Sequence, residues 1–272
     1  MQRGAQFSPC DSSYPSQVNI IPARYQRAPP IMRLTTKGID LTQTISSLCD
    51  FFRREIPHLP KNYNWRIPLI EGFPNSGHVG YQANLELKAH FKRQWEEATY
   101  DGRLQIAKNI VSDWGGVHAN RPETLERYVK ALLDTVDPPT PLQGIASYSK
   151  IFAVVYPDRF AIYDARVAAC LNAVQLNAGI QKGIAFKYVP GRNNVVGNAR
   201  SGQGFTQDAR FSPKNLISSG WLPVSSSETY KKYINVLTRC QTELPGTSLV
   251  SLEMALFANA ERECLLAMQQ QD

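Results

Sequence analysis

The chain has 272 residues and carries 30 basic against 23 acidic side chains, which gives a net charge of +7. Hydrophobic residues make up 43% of the sequence, enough for a sizeable core. No apolar run approaches the roughly 20 residues that a membrane-spanning helix needs, and the N-terminus lacks the apolar core of a secretory signal. Composition therefore argues against a membrane protein, and the basic charge suits a polyanionic partner such as nucleic acid.

Cysteine and histidine usage argues against a metal site. The sequence has five cysteines and four histidines, with no C-x-x-C pair and no ligand-like spacing between the histidines and acids or thiols. Neither a zinc ribbon nor an iron–sulfur cluster is indicated. We expect a reduced, cytoplasmic protein that holds no metal and no cofactor.

Helical periodicity begins after an irregular N-terminal arm. Residues 1–38 contain scattered prolines, serines and arginines, which resist regular structure. Residues 39–272 predict a helical domain, because apolar side chains recur at three- and four-residue spacing through most of it. The segment 57–81 breaks that pattern with four prolines. The predicted helices lie at 40–56, 82–98 and 103–113, then from Asn120, on both sides of Pro157, from Ser225 and from Ser248.

The stretch 141–175 organises the rest of the chain. It starts with an L-x-G-x-A turn that contains Gly144 and Ala146. Lys150 then opens an apolar helix that should be buried on most sides. After an extended link, Asp164 is placed to cap a second helix. A lysine and an aspartate therefore flank one short, mostly buried element.

This stretch resembles the helix-hairpin-helix DNA glycosylase superfamily, in particular its bacterial 8-oxoguanine glycosylase-like members. The matching residues are S-K at 149–150, P-D-R-F at 157–160 and I-Y-D-A-R-V at 162–167. In that family the lysine attacks the sugar carbon C1′, and the aspartate assists loss of the base. The resemblance implies these catalytic roles for Lys150 and Asp164.

The resemblance also implies that the hairpin binds DNA. Backbone N–H groups of such a turn, followed by a helix N-terminus, form a phosphate site that positions DNA without reading its sequence. The family hairpin usually reads L-P-G-V-G, whereas here Gln143 and Ala146 replace the proline and the second glycine. Lys150 also lies later in the hairpin than the usual lysine. The expected hairpin contacts to DNA are Gly144, Ala146, Ser147 and Ser149.

The segment 178–215 predicts a long loop, because glycines interrupt every regular pattern within it. Basic and aromatic side chains are interleaved there. That composition either grips a nucleic-acid backbone and stacks a base, or belongs to a mobile surface insertion. We expect Arg192 and Arg200 to contact DNA. Asn193 and, from the extended link, Tyr163 are the residues that we expect to line a base pocket.

These observations predict a mainly α fold, a two-lobed helical bundle with a helix-hairpin-helix motif. The resemblance implies a monomeric enzyme of the bacterial cytoplasm, associated with the nucleoid, that flips and excises a modified base from double-stranded DNA. It leaves an abasic site, and it also nicks the strand if Lys150 is the nucleophile. The resemblance favours oxidised guanine as the substrate. The polar loop fits a hypermodified cytosine of phage DNA, such as glucosylated hydroxymethylcytosine, in antiviral defence.

Two other functions remain open on the residues alone. In a non-catalytic helix-hairpin-helix DNA-binding protein, Lys150 and Asp164 are only structural, since an aspartate at a helix start is commonly just a cap. In a helical interaction module, the basic surface is incidental, and salt-sensitive binding to duplex DNA is absent. A metal-dependent nuclease is disfavoured, because the sequence shows no acidic cluster.

Overall fold

The computed structural model describes residues 41–197 and 204–270. Over these ranges the chain is mainly helical, which confirms the predicted fold class. The predicted arm, residues 1–38, and Arg200 lie outside the described residues. The α-helices are α1 (Thr42–Glu55), α2 (Leu59–Asn62), α3 (Tyr81–Glu97), α4 (Tyr100–Lys108), α5 (Pro122–Asp134), α6 (Ile145–Val155), α7 (Ala165–Asn177), α8 (Pro213–Ser218), α9 (Thr229–Glu243) and α10 (Leu249–Gln269), and two short parallel strands are β1 (Ile184–Ala185) and β2 (Leu222–Pro223).

The longer helices pack as two groups. One group contains α3, α4, α5 and α6, together with a π-helical turn at Asn109–Trp114 that continues α4. The other contains α1, α7, α9 and α10, and the short helix α2 contacts a member of each group. Buried apolar side chains of both groups form one continuous cluster. The result is an all-α helical bundle around one core. No helix in the described ranges is long and apolar enough to cross a membrane.

Helices α6 and α7 form in the segments where the sequence predicts them, but α6 begins at Ile145, so Lys150 lies in its middle rather than at its start. Every residue of α6 except Ala146 is buried, as its apolar composition on most sides implies. The helix ends at Val155, since Pro157 disfavours helical backbone just before it. Asp164 caps α7, and its Oδ1 accepts a hydrogen bond from the Val167 N–H at 3.0 Å. The extended link between the two helices therefore has fixed ends.

The segment 178–215 is more regular than its glycine content predicts. Its described part contains β1, two short 3₁₀ turns and α8. The side-chain amides of Asn172 and Gln175 on α7 bond the backbone of residues 184 and 186, and so hold this part against the core. Three of its aromatic rings are fully buried in the core, so they offer no face to a base in this structure. These rings are Phe186, Phe205 and Phe211.

Candidate active site

A small pocket of about 40 Å³ lies between the two groups of helices. It brings together the lysine and the aspartate that the sequence predicts as catalytic residues. Lys150 comes from α6 in one group, and Asp164 stands at the start of α7 in the other. The lining residues are Tyr63, Trp65, Trp114, Gly115, Lys150, Asp164 and Phe257. The pocket thus places two charged groups among aromatic rings.

Lys150 is a buried lysine without a direct ion pair. Its side chain is only 6% exposed, and its Nζ donates a hydrogen bond to the Ala146 carbonyl at 2.7 Å. In the described part of the chain, no carboxylate oxygen lies within ion-pair distance of Nζ. Burial lowers the pKa of Lys150, and the negative charge of Asp164 opposes that effect. An amine of this kind loses its proton more readily than an exposed lysine.

Gly115 fixes where the Lys150 side chain lies. A Cβ atom at this position would stand 2.6 Å from the Lys150 Cδ and 2.8 Å from the Ile110 carbonyl oxygen. Such contacts are too short for carbon atoms, so only glycine fits beside the lysine stem. The backbone of Gly115 has an ordinary helical conformation, with φ at −83°. Close approach, rather than an unusual backbone angle, therefore requires glycine here.

Asp164 uses one carboxylate oxygen to cap α7, and its other oxygen has no donor among the described residues. One carboxylate oxygen, Oδ1, caps α7 through the Val167 N–H. The other, Oδ2, accepts no hydrogen bond from any residue in 41–197 or 204–270. The side chain is half-buried and lines the pocket. One oxygen therefore holds the carboxylate in place, and the second is available to a bound molecule.

Three hydroxyl groups clamp the extended link that leads to Asp164. Two belong to tyrosines of α9, and the third belongs to a serine of α6. The bonds run from Tyr230 Oη to the Ala161 carbonyl (2.8 Å), from Tyr233 Oη to the Ile162 carbonyl (2.9 Å) and from the Tyr163 N–H to Ser149 Oγ (3.1 Å). All three hydroxyl-bearing side chains are fully buried. The position of Asp164 relative to α6 is therefore set by the core.

Aromatic rings form most of the pocket wall, and sequence reasoning assigned none of them to it. The ring centroid of Phe257 on α10 lies 5.6 Å from that of Tyr63 and 5.5 Å from that of Trp65. The guanidinium of Arg166 lies over the same Phe257 ring, at 4.8 Å from its centroid. Aromatic faces of this kind stack on planar bases. These aromatic residues come from distant parts of the sequence, and no local pattern places them together.

A second pair of buried charges stands behind the aromatic wall. Lys88 Nζ on α3 lies 2.8 Å from Glu253 Oε2 on α10. The same ammonium lies 5.7 Å from the ring centroid of Trp114, whose indole N–H donates to Asn84 Oδ1 at 2.9 Å. Burial raises the pKa of Glu253, and the neighbouring Lys88 opposes this rise. The pair joins the two groups of helices.

The hairpin residues split into accessible and buried ones. Gly144 adopts a left-handed conformation, with φ at 79°, and is half-buried together with Ala146. The Ala146 N–H donates no hydrogen bond to any described residue. Ser147 is buried and accepts a hydrogen bond from Asn120 Nδ2 at 2.9 Å, and Ser149 is fully buried in the clamp. The expectation that both serines contact DNA is therefore not met, because each already serves the core.

Two further residues expected in the base pocket lie elsewhere. Tyr163 is fully buried, and its hydroxyl donates to the Lys187 carbonyl at 2.7 Å. Asn193 donates to Glu261 Oε1 at 2.6 Å, and its own Oδ1 accepts from the backbone of the loop that carries it. Neither lines the pocket. Arg192, which we expect to contact DNA, is exposed.

The described residues do not form a metal site beside the pocket. Within residues 41–197 and 204–270, no group of three or more His, Cys, Asp or Glu side chains is arranged to hold a metal ion. Comparison with protein-family models, with curated proteins and with solved structures finds no match to this chain. The functional argument therefore depends on the sequence motif and on the geometry of the pocket.

Proposed function

We propose that this protein is a DNA glycosylase of the helix-hairpin-helix type, which excises a modified base from duplex DNA. One observation carries the proposal. The motif lysine and the motif aspartate, Lys150 and Asp164, line the same pocket, and aromatic rings surround them. A buried amine that has no carboxylate partner among the described residues, beside a carboxylate oxygen that has no donor there, is an arrangement found at functional sites, and it supports a catalytic role over a purely structural one.

The proposed reaction begins when the target nucleotide rotates out of the duplex. Duplex DNA hides the bond between base and sugar, so an enzyme that cleaves it takes the base into a pocket of its own. The rings of Trp65, Trp114 and Phe257 supply faces for stacking. Asp164 Oδ2 then supports the positive charge that develops on the sugar as the base leaves, as a carboxylate does in glycoside hydrolysis.

Lys150 takes one of two roles in this scheme. As a nucleophile, its uncharged amine forms a bond to C1′ while the bond from C1′ to the base nitrogen breaks. The amine proton goes to solvent or to the departing base, which leaves an aminal at C1′. The C1′–O4′ bond of the sugar then breaks as O4′ takes a proton, and the Schiff base that forms permits strand nicking. The lowered pKa of Lys150 favours this role. Otherwise the lysine contacts a phosphate, water attacks C1′, and the product is an abasic site.

The turn before α6 is the proposed phosphate contact. The Ala146 N–H stands in the first turn of α6 without a partner among the described residues, at the positive end of the helix dipole. Gly144 allows the chain to turn there, and a Cβ atom on it would lie 1.9 Å from the Tyr128 hydroxyl oxygen. The exposed Arg192 adds a basic contact. Duplex DNA, a monomeric state and a place at the bacterial nucleoid belong to the same proposal.

The size of the pocket favours one of the two proposed substrates, oxidised guanine and glucosylated hydroxymethylcytosine, over the other. A space of about 40 Å³ holds roughly three water molecules, so any base needs the aromatic walls to part. A flat base requires a smaller adjustment than one that carries a glucose. We therefore place oxidised guanine first and glucosylated hydroxymethylcytosine second, with repair and antiviral defence as the corresponding roles.

The test is mass spectrometry of the small molecules released from two DNAs, incubated without added metal. One DNA is oxidised duplex, and the other is rich in glucosylated hydroxymethylcytosine. We expect a released base with the natural protein and none with Asp164→Asn. Release that is equal in the two proteins, or release from neither DNA, overturns the proposal. Salt-dependent binding to duplex DNA without release would favour the non-catalytic DNA-binding alternative.

A further inference from the structure

The buried Lys88–Glu253 pair is unusual because stability alone does not explain it. The two side chains are 8% and 2% exposed, so neither charge keeps contact with water. Taking two charges out of water costs more free energy than burying apolar groups of similar size, which would join α3 and α10 at least as well. The pair therefore needs a reason beyond holding the helices together.

The pair stands behind two residues that line the candidate active site. Lys88 Nζ lies 5.7 Å from the ring centroid of Trp114, and Glu253 lies one helical turn before Phe257 on α10. Glu253 does not line the pocket itself. The negative charges of Asp164 and Glu253 raise the pKa of Lys150, and the positive charge of Lys88 lowers it.

The titratable groups around Glu253 come from five parts of the fold. The groups whose charge or hydroxyl interacts with it are Lys88 and Tyr81 on α3, Tyr63 after α2, Lys150 on α6, Asp164 before α7, and Tyr230 and Tyr233 on α9. The four tyrosines keep their protons, since the pKa of each is raised by burial. With Lys150 uncharged and both carboxyl groups ionised, Lys88, Asp164 and Glu253 together carry one net negative charge.

We propose that Glu253 is a second, buried carboxylate that supports the positive charge developing on the sugar, and that Lys88 keeps it ionised. Glu253 acts through its field rather than by contact, because Asp164 alone meets the pocket. This inference deepens the proposed function and rests on it. A preorganised charge in a site without water acts more strongly than it would in solvent.

The first experiment uses no DNA. Lys150 is labelled in the full chain by a short pulse of formaldehyde with dimethylamine–borane at a series of pH values, and peptide mass spectrometry measures the labelled fraction. Removing the negative charge with Glu253→Gln lowers the pKa of Lys150, so the labelling midpoint moves to lower pH. We expect a shift of about one pH unit, a tenfold change in the uncharged fraction. The exposed Lys182 is the internal reference and should not change.

The second experiment measures base release by the same variant. We expect Glu253→Gln to release base about tenfold more slowly, although its Lys150 amine is more often uncharged. A labelling midpoint at lower pH together with slower release is a combination that a structural defect does not produce, because opening the site would expose Lys150 and raise its pKa. Lys88→Met adds a pH signature. Without the ammonium, the pKa of Glu253 rises further, so release should recover only as pH rises through that raised pKa.

The double variant Lys88→Met/Glu253→Gln keeps the inference testable if a single variant does not fold. It leaves no unpaired buried charge, so it should keep the fold, as thermal unfolding will show. We expect it to release base slowly at every pH. Release at the natural rate by this variant overturns the inference. If the natural protein releases no base, the proposed function fails, and an unchanged labelling midpoint in Glu253→Gln then refutes the field of Glu253 as well.

Discussion

Helix α10 carries buried carboxylates at both ends, and the two ends differ in how their charges are satisfied. Near its C-terminal end, Glu263 and the neighbouring Glu55 of α1 meet Arg262, with Arg262 Nη2 at 2.7 Å from each. Arg54 lies 2.6 Å from Glu55 as well. Both arginines remain about half exposed, so their charges keep contact with water. Every charge at this end has an opposite charge within reach.

The other end of α10 is more deeply buried and incompletely paired. Glu253 has a single ion-pair partner, Lys88, and both are buried. Beside them, Lys150 donates only to a carbonyl, and Asp164 leaves Oδ2 without a donor in the described ranges. Unpaired charge away from water costs folding free energy and is concentrated at functional sites. The C-terminal end of α10 is therefore a structural charge network. The other end leaves an amine and a carboxylate oxygen available to a bound molecule.

The sharpest test of this contrast is Asp164→Asn. Asparagine caps a helix as well as aspartate does, so the fold should keep its stability. The negative charge beside the sugar is lost, and we expect base release to fall by roughly a hundredfold or more. The matched control is Asp158→Asn, an exposed aspartate that precedes α7 on the same link. A comparable loss in that control would show that the effect does not come from the pocket.

The second-largest effect is expected for Lys150→Met. This variant distinguishes a lysine that acts as the nucleophile from one that only contacts a phosphate. Methionine fills the same volume without an amine, so borohydride trapping of a protein–DNA adduct should disappear. In the natural protein the uncharged amine is needed, so trapping should rise with pH. Because burial lowers the pKa of Lys150, that rise should come at lower pH than for an exposed lysine. Adducts that persist in Lys150→Met would assign the nucleophile to another residue. Lys182→Met, at an exposed position, is the control.

A smaller effect should follow from moving Lys150 without changing its chemistry. Gly115→Ala places a methyl group where the lysine stem lies, so the amine shifts and we expect trapping to fall by about tenfold. Gly116→Ala is the matched control. Its left-handed backbone, with φ at 67°, makes alanine unfavourable there, but no atom lies within 4 Å of the new Cβ. We expect Gly116→Ala to lose stability but not trapping. If Gly116→Ala lost trapping and Gly115→Ala kept it, the proposed packing of Gly115 against Lys150 would be wrong.

The sequence predicted correctly several features that depend on residues close together in the chain. The buried character of α6 followed from its composition, its end from Pro157, and the cap of α7 from Asp164. Lys150 and Asp164 do line one pocket, but Lys150 lies within α6 rather than before it, so the predicted flanking positions were wrong. The other inferences succeeded because they depend on neighbours within about twenty positions, over which helix geometry fixes distances.

Prediction failed where residues far apart in the chain meet. Lys88 and Glu253 are separated by 165 positions, and no local pattern predicts that they pair. Phe257 reaches the pocket only because α10 packs across α7. Tyr163 stands in the motif beside Asp164, yet alternation along an extended link does not show which face the core covers. The motif located the site, and only tertiary packing supplied its walls.

Substitutions near the C-terminal end of α10 are expected to have the smallest effect on the pocket. Burial alone would raise the pKa of Glu55, but hydrogen bonds from Arg262 and Arg54 outweigh it, and the pKa is lowered. A carboxylate with a lowered pKa contributes stability above its usual value near 4.5, and that contribution is lost as the pH falls below it.

Arg262→Met removes the main partner of Glu55, so urea unfolding at pH 7 should show a loss of about 1–2 kcal/mol, after discounting for the half-exposed arginine. The variant should also lose less stability than the natural protein between pH 5 and pH 3. Arg53→Met is the control, because the Arg53–Asp50 pair on α1 is exposed and should contribute well under about 1 kcal/mol. Base release should be unchanged in both variants. A large loss of release in Arg262→Met would mean that the two ends of α10 are not independent.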